Sequence, residues 1–236
     1  GHVKTREYLT KTLKTYAGSN AVFTQYFQSE GYSSDTLQLA NVIAAFNTSS
    51  PDRIMLAAHW DTRPRADQDS VRTVDAIAGA DDGASGVGVL LELARMFSEN
   101  PPPIDYGTSG DLSNYFLGSR YWSVNPPVPG YSPRFGILLD MVGAENAYFP
   151  KEEYSISYAP NLMNEIWSIA GEKGFGDIFL DEVGAAVLDD HYIVTNETKI
   201  PVIDIINHTR GADGNIRFAP HWHTHKDDLP TFRLRF

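Results

Sequence analysis

The sequence predicts an α/β protein: a single-domain three-layer α/β/α sandwich around a mixed, largely parallel sheet. Three observations predict it. Short, largely apolar runs recur at residues 54–58, 135–139 and 200–206, the last broken only by Asp204, the pattern of strands buried on both faces. Amphipathic helical patterns separate these runs, most clearly over residues 86–97. The chain has 236 residues, 42% hydrophobic and 21% charged, which suits one domain with its own core.

The elements follow in order. Residues 5–16 read as a helix, with Tyr8, Leu9, Leu13 and Tyr16 at helical spacing and Gly18-Ser19-Asn20 as its stop. Residues 37–46 alternate and then turn apolar, as a strand does. Ser49-Ser50-Pro51-Asp52 is a turn before the first buried strand, 54–58. Residues 61–80 are polar and turn-rich, a long loop. Over 86–97, Val87, Leu90, Leu91, Ala94 and Phe97 form one stripe, and Asn100 with the prolines after it ends the helix. A further helix is expected at 113–122 and a buried strand at 135–139. Residues 161–173 form a helix with Leu162, Ile166, Ile169 and Ala170 inward, closed by Gly174. Ile178 and Phe179 open a short strand, and 200–206 is the last buried one.

Composition removes several function classes. The net charge is −11, from 30 acidic against 19 basic residues. That argues against a nucleic-acid partner, which needs a basic face to neutralise phosphates. It modestly favours a cationic substrate such as a free amino terminus. No apolar run approaches the roughly 18 residues of a membrane span. The chain has no cysteine, so any metal is held by His, Asp and Glu. It begins Gly1-His2-Val3-Lys4 without an apolar leader. We expect an exported protein, periplasmic or secreted, whose leader has been removed, with a cytoplasmic protein as the alternative.

The chemistry gathers at the strand ends. The first buried strand runs into His59-Trp60-Asp61, the second into Asp140, the third into Asn207-His208. In open α/β sheets, ligands bind outside the carboxyl ends of the strands. Taken singly, a His or Asp there is more often a turn former; the shared topology is what raises the functional reading. Gly79-Ala80-Asp81-Asp82-Gly83-Ala84-Ser85-Gly86 precedes the clearest helix. Its small residues permit close backbone approach, and one of its acids could be a helix cap. Two adjacent carboxylates exceed what one cap needs. Leu188-Asp189-Asp190-His191 and His221-Trp222-His223-Thr224-His225 supply more ligand types, or else a solvated loop. Without cysteines, scattered Asp and His suit a catalytic zinc site better than a structural one.

Ala58-His59-Trp60-Asp61-Thr62-Arg63-Pro64, the Gly79–Gly86 segment, Asp105-Tyr106-Gly107, Leu138-Leu139-Asp140-Met141-Val142-Gly143, Asp189-Asp190-His191 and Trp222-His223-Thr224 occur in one order. As a set, spanning about residues 37–229, they resemble the zinc-dependent exopeptidase and glutaminyl cyclase superfamily. The wording most resembles its bacterial glutaminyl-peptide cyclotransferase-like branch. The resemblance implies zinc, one ion in a cyclase and two in an aminopeptidase. It implies Asp82 as a ligand, bridging if two ions bind, with His223 as a second. Asp105 stands at an acidic ligand position that is often Glu in relatives. His59 and Asp140 would ligate a second zinc in an aminopeptidase; in a one-zinc cyclase Asp140 joins Asp189 in an acid hydrogen-bond network. Trp222 would wall the substrate pocket. The implied substrates are peptide or protein N-termini, with N-terminal Gln converted to pyroglutamate and ammonia released.

Relatives carry a strand ending in Glu-Glu or Glu-Asp, whose first acid is the general acid/base. Here Pro101-Pro102-Pro103-Ile104 precedes Asp105 and no Glu does. Prolines do not fit a central strand, so we expect residues absent from this sequence to lie between Ile104 and Asp105. Three functions compete: a zinc-dependent glutaminyl cyclase, a zinc aminopeptidase, and an inactive relative that has lost its general base.

Overall fold

The computed structural model describes residues 2–31, 35–48, 50, 52–99, 116–126, 131–211 and 213–229. The chain divides into two compact units. The first comprises Gly1–Ala58, Val89–Leu138 and Leu188–Val202, and the second His59–Gly88, Leu139–Val187 and Ile203–Phe236. The α/β class is as expected from sequence.

In the first unit, helix α1 (His2–Ala17) is followed by strands β1 (Val22–Glu30) and β2 (Thr36–Ala44), paired antiparallel from Val22↔Ala44 to Glu30↔Thr36. Val22, Ala44, Phe46 and Ala94 close a core against Leu13, Tyr16 and Phe97. Strand β3 (Ile54–Ala57) pairs in parallel with β4 (Phe135–Asp140), Ile54 opposite Phe135. Strand β7 (Val202–Ile206) begins on the last residue of this unit and continues into the second. Pro201 has no N–H to give, but its carbonyl accepts the Gly136 N–H at 2.9 Å. A side chain at Gly136 would meet the Met55 methyl at 2.8 Å and Val202 at 3.0 Å, so glycine lets β4 lie against this core.

Three helices belong with these strands in sequence. Helix α2 (Ala84–Glu99) extends the expected 86–97 at both ends. Helix α3 (Leu117–Val124) begins later than expected; residues 113–115 lie outside those described. Helix α6 (Asp190–Thr198) was not expected at all: Ile193, Val194 and Thr195 are stiff, β-branched residues. It forms because Asp189 caps its start, accepting the Asp190 N–H at 2.7 Å, and because Val194 packs with Ile43, Met55, Trp122, Ile200 and Val202.

The second unit holds strand β5 (Phe149–Lys151), paired in parallel with β6 (Phe179–Val183). Between them lie α4 (Glu153–Tyr158) and α5 (Pro160–Glu172), the latter starting on proline, which suits a first turn. A two-residue pair, β8 (Thr209–Arg210) with β9 (Ile216–Arg217), follows β7. Among the described residues, no helix is long and apolar enough to cross a membrane.

Candidate metal centre

Four of the residues expected at the site meet within the second unit. His59 follows β3, Asp140 is the last residue of β4, Asp82 lies two residues ahead of α2, and His223 sits in the turns after β9. His59, Asp82 and Asp140 each offer a ligand atom within 4.8 Å of the other two. His59 Nε2 is 3.1 Å from Asp140 Oδ1 and 3.2 Å from Asp82 Oδ1. The other oxygen of the same carboxylate, Asp82 Oδ2, is 3.4 Å from His223 Nε2. Asp82 therefore stands between two halves, one formed with His59 and Asp140, the other with His223.

Local backbone geometry makes this convergence possible. Gly83 has φ +101°, and a side chain there would meet the Asp61 carbonyl at 2.7 Å and the His59 ring at 3.0 Å. Only glycine lets the Asp82 segment pass so close to His59. His223 itself has φ +55°, a left-handed conformation that His tolerates better than most residues. Its carbonyl accepts the Gln68 N–H at 3.2 Å, which ties that turn to the loop before Gly79.

Burial and charge set the protonation of the metal-free site. Burial works against a charge on His59, but hydrogen bonds to Asp140, Asp61 and Asp82 outweigh it and hold its pKa well above the ordinary value. Burial pushes the Asp140 carboxyl up despite the nearby His59. Asp82 is also penalised by burial, yet His59 and His223 bring it below the usual carboxylate value. Burial, with Arg63 second, lowers His223. A neutral His223 keeps a lone pair on Nε2, where Arg63 Nε donates a hydrogen bond at 3.1 Å. Asp67 Oδ1 lies 3.3 Å from the other ring nitrogen, a carboxylate placed to orient a ligating imidazole.

These residues fit a divalent ion. Asp82 Oδ2 is buried and has no hydrogen-bond partner, an expensive state for a carboxylate oxygen unless a cation supplies one. The donor set is nitrogen and oxygen, as zinc accepts. Two ligands bound at roughly 2.0–2.1 Å to a tetrahedral ion lie about 3.3 Å apart, and the site's separations of 3.1–3.4 Å match that spacing.

The remaining expected residues are placed as follows. Asp189 belongs to the first unit as the cap of α6. Asp105 and the Ile104–Asp105 junction lie outside the described residues. Trp222 is half-buried and stacked between Phe218, at 4.3 Å, and His223, at 3.8 Å between ring centroids. It thus touches the candidate ligand ring directly. Sequence reading missed Asp67, Arg63, Asp81 and His221. Asp81 and His221 pair at 2.7 Å behind Asp82, and both were visible in the segments singled out, whereas nothing in the polar 61–80 loop marked Asp67.

An α/β fold that brings His59 and Asp140 from strand ends together with Asp82 and His223 from turns is that of a metal-dependent enzyme. The chain belongs to Peptidase family M28, whose family model matches residues 41–235. It is similar to the Bacteroides thetaiotaomicron glutaminyl cyclase solved with N-acetylhistamine: 39% identity over 98% of this chain and 83% of that one, TM-score 0.90. A Zn-dependent exopeptidase from Parabacteroides distasonis is 36% identical over 98% of this chain and 84% of that one, TM-score 0.91. The alkaline phosphatase isozyme conversion protein of Escherichia coli is 38% identical over 80 residues, which is 30% of this chain and 23% of that protein.

Proposed function

We propose that this chain is a zinc-dependent glutaminyl-peptide cyclotransferase, converting the N-terminal Gln of peptides to pyroglutamate with release of ammonia. The observation that carries the reading is the asymmetry of the two halves around Asp82. His59 and Asp140 already satisfy each other through a 3.1 Å hydrogen bond, whereas Asp82 Oδ2, facing His223, has no hydrogen-bond partner. The orphaned oxygen lies on the His223 side, which suits one zinc held by Asp82 and His223, with Asp105 as the proposed third ligand. The likeness to a glutaminyl cyclase over nearly the whole chain supports the same reading.

Zinc bound there would supply Lewis acidity toward the γ-carbonyl of the substrate glutamine. The chain's residues do the rest. Asp67 lies 3.3 Å from His223 Nδ1, and Trp222 stacks on the His223 ring, with its edge proposed as one wall of the substrate pocket. Ring closure joins the substrate α-amine to the carbonyl carbon of its side-chain amide (Cδ) and breaks that carbon's bond to the amide nitrogen. A carboxylate takes one proton from the amine and returns it to that nitrogen, which leaves as ammonia. Asp140 is the carboxylate we assign to this proton traffic. A high overall negative charge favours the cationic amino terminus.

A two-zinc aminopeptidase is the second reading, favoured by the His59–Asp82–Asp140 group, which could hold an ion of its own. Its support among relatives is the P. distasonis exopeptidase. A Gln-initiated and a Leu-initiated fluorogenic peptide separate the two. Ammonia release without free amino acid is expected; free leucine would establish the aminopeptidase, and neither product would leave an inactive relative. Trp222→Ala is expected to raise KM about tenfold with zinc retained, because the substitution removes no ligand atom. If zinc content falls with that variant, Trp222 supports the ligand rather than lining the pocket.

A further inference from the structure

The segments carrying Asp82 and His223 are fastened together by a residue that has no part in the chemistry above. Asp227 is completely buried. Its Oδ1 accepts the Asp81 N–H at 2.6 Å and its Oδ2 accepts the Asp82 N–H at 3.1 Å. These N–H groups lie just ahead of α2, where no helical carbonyl is available to them. An ordinary cap would come from the residues immediately before the helix. Here the acceptor comes from 145 and 146 residues away, and from the very turn that holds His223.

That turn is itself tightly closed. The Thr224 N–H donates to the His221 carbonyl at 3.0 Å, and the Asp227 N–H to the Thr224 carbonyl at 3.1 Å. A parallel tie runs alongside: His221 Nε2 pairs with Asp81 Oδ2 at 2.7 Å, while Asp81 Oδ1 accepts the Gly143 N–H at 2.8 Å, two residues past Met141 and three past Asp140. Two carboxylates thus bind three strips of chain that bear Asp82, Asp140 and His223.

We infer that Asp227 is a positioning residue: by gripping the main chain of Asp81 and Asp82, it sets the Asp82 carboxylate against His223 before any metal arrives. The inference rests on the metal reading of Asp82 and His223 and goes beyond it. A cap serving only helix stability would change folding and leave affinity for zinc untouched. A positioning residue does the reverse, and loss of such outer partners typically costs 10–100-fold in metal affinity.

The test is chelator competition for zinc on the full chain, with the melting temperature of the metal-free form measured beside it. Asp227→Asn keeps the volume but turns an amide N–H2 toward one of the two backbone N–H groups. It is expected to bind zinc roughly 10–100-fold more weakly, with an altered Co(II) absorption spectrum. Asp227→Glu keeps both acceptors, and therefore the fold, but displaces the Asp82 main chain by a methylene. It should weaken zinc about tenfold, and it decides the matter if the Asn variant fails to fold. Zinc affinity within about threefold of wild type in a folded variant overturns the proposal. Wild-type protein that takes up no zinc sinks the metal reading instead. Amide exchange then judges the grip on its own: slow exchange at Asp81 and Asp82 in the metal-free protein supports it, and exchange as fast as an open loop overturns it.

Discussion

Asp82→Ala is expected to abolish zinc uptake and lower turnover by at least about a hundredfold. The size follows from what is lost: a Lewis acid supplies several kcal/mol of transition-state stabilisation, and roughly 1.4 kcal/mol is a factor of ten in rate. No other side chain among the described residues reaches both halves of the site, since Asp82 alone puts one oxygen near His59 and the other near His223. The same variant separates function from folding. In the metal-free protein, despite burial, His59 and His223 hold the Asp82 carboxyl below its usual value, so the fold favours its charge above the ordinary carboxylate range and its removal should lower the metal-free melting temperature modestly. Wild-type protein, by contrast, should gain about 2.7 kcal/mol at a hundredfold excess of zinc over Kd, or about 5–10 °C for a chain of this size. Zinc content, turnover and the two melting curves check the prediction. An Asp82→Ala protein that still melts higher with zinc would place the metal elsewhere.

Much of this site was legible because it sits where buried strands end. Residues 54–58 and 135–139 could only be interior strands, so His59 and Asp140 had to emerge at one edge, and they meet at 3.1 Å. The glycines around Asp82 announced a close approach, and Gly83 proves to face the His59 ring. What escaped the sequence depends on contacts far apart in the chain. Asp227 and Asp67 are ordinary polar residues until folding brings them against Asp82 and His223. Strand β1 alternates in burial only over Gln25–Glu30 and exposes the apolar Phe23 and Tyr26, so its apolar residues carry no period of two to be read. Helix α6 has weak intrinsic propensity and is made by its cap and by the packing of Val194. The short α4 was unread for a related reason: its cap is a Glu, rare in that role beside Ser, Thr, Asp and Asn.

That Glu gives the largest stability effect we expect. Glu152→Ala should destabilise the protein by about 3–5 kcal/mol, the cost of leaving several buried backbone donors without their acceptor at once. Glu152 is completely buried and accepts from four donors. Oε1 takes the Tyr154 N–H at 2.9 Å and the Val187 N–H at 2.9 Å. Oε2 takes the Ser155 N–H and the Ser155 hydroxyl, both at 2.6 Å. The substitution strands three backbone donors in a dry interior, where each unmet group costs about 1–3 kcal/mol. The loss also spreads. Ser155 Oγ accepts the Asp204 N–H at 3.0 Å, so once its own acceptor is gone the hydroxyl is free to turn away from β7. Glu152→Gln keeps the shape but turns one oxygen into a donor that faces two others, and should recover no more than half of the loss. Urea unfolding of the metal-free protein, with and without each substitution, measures both values. A Glu152→Ala midpoint within about 0.5 kcal/mol of wild type would show that water replaces the carboxylate, and that α4 is held by its other neighbours.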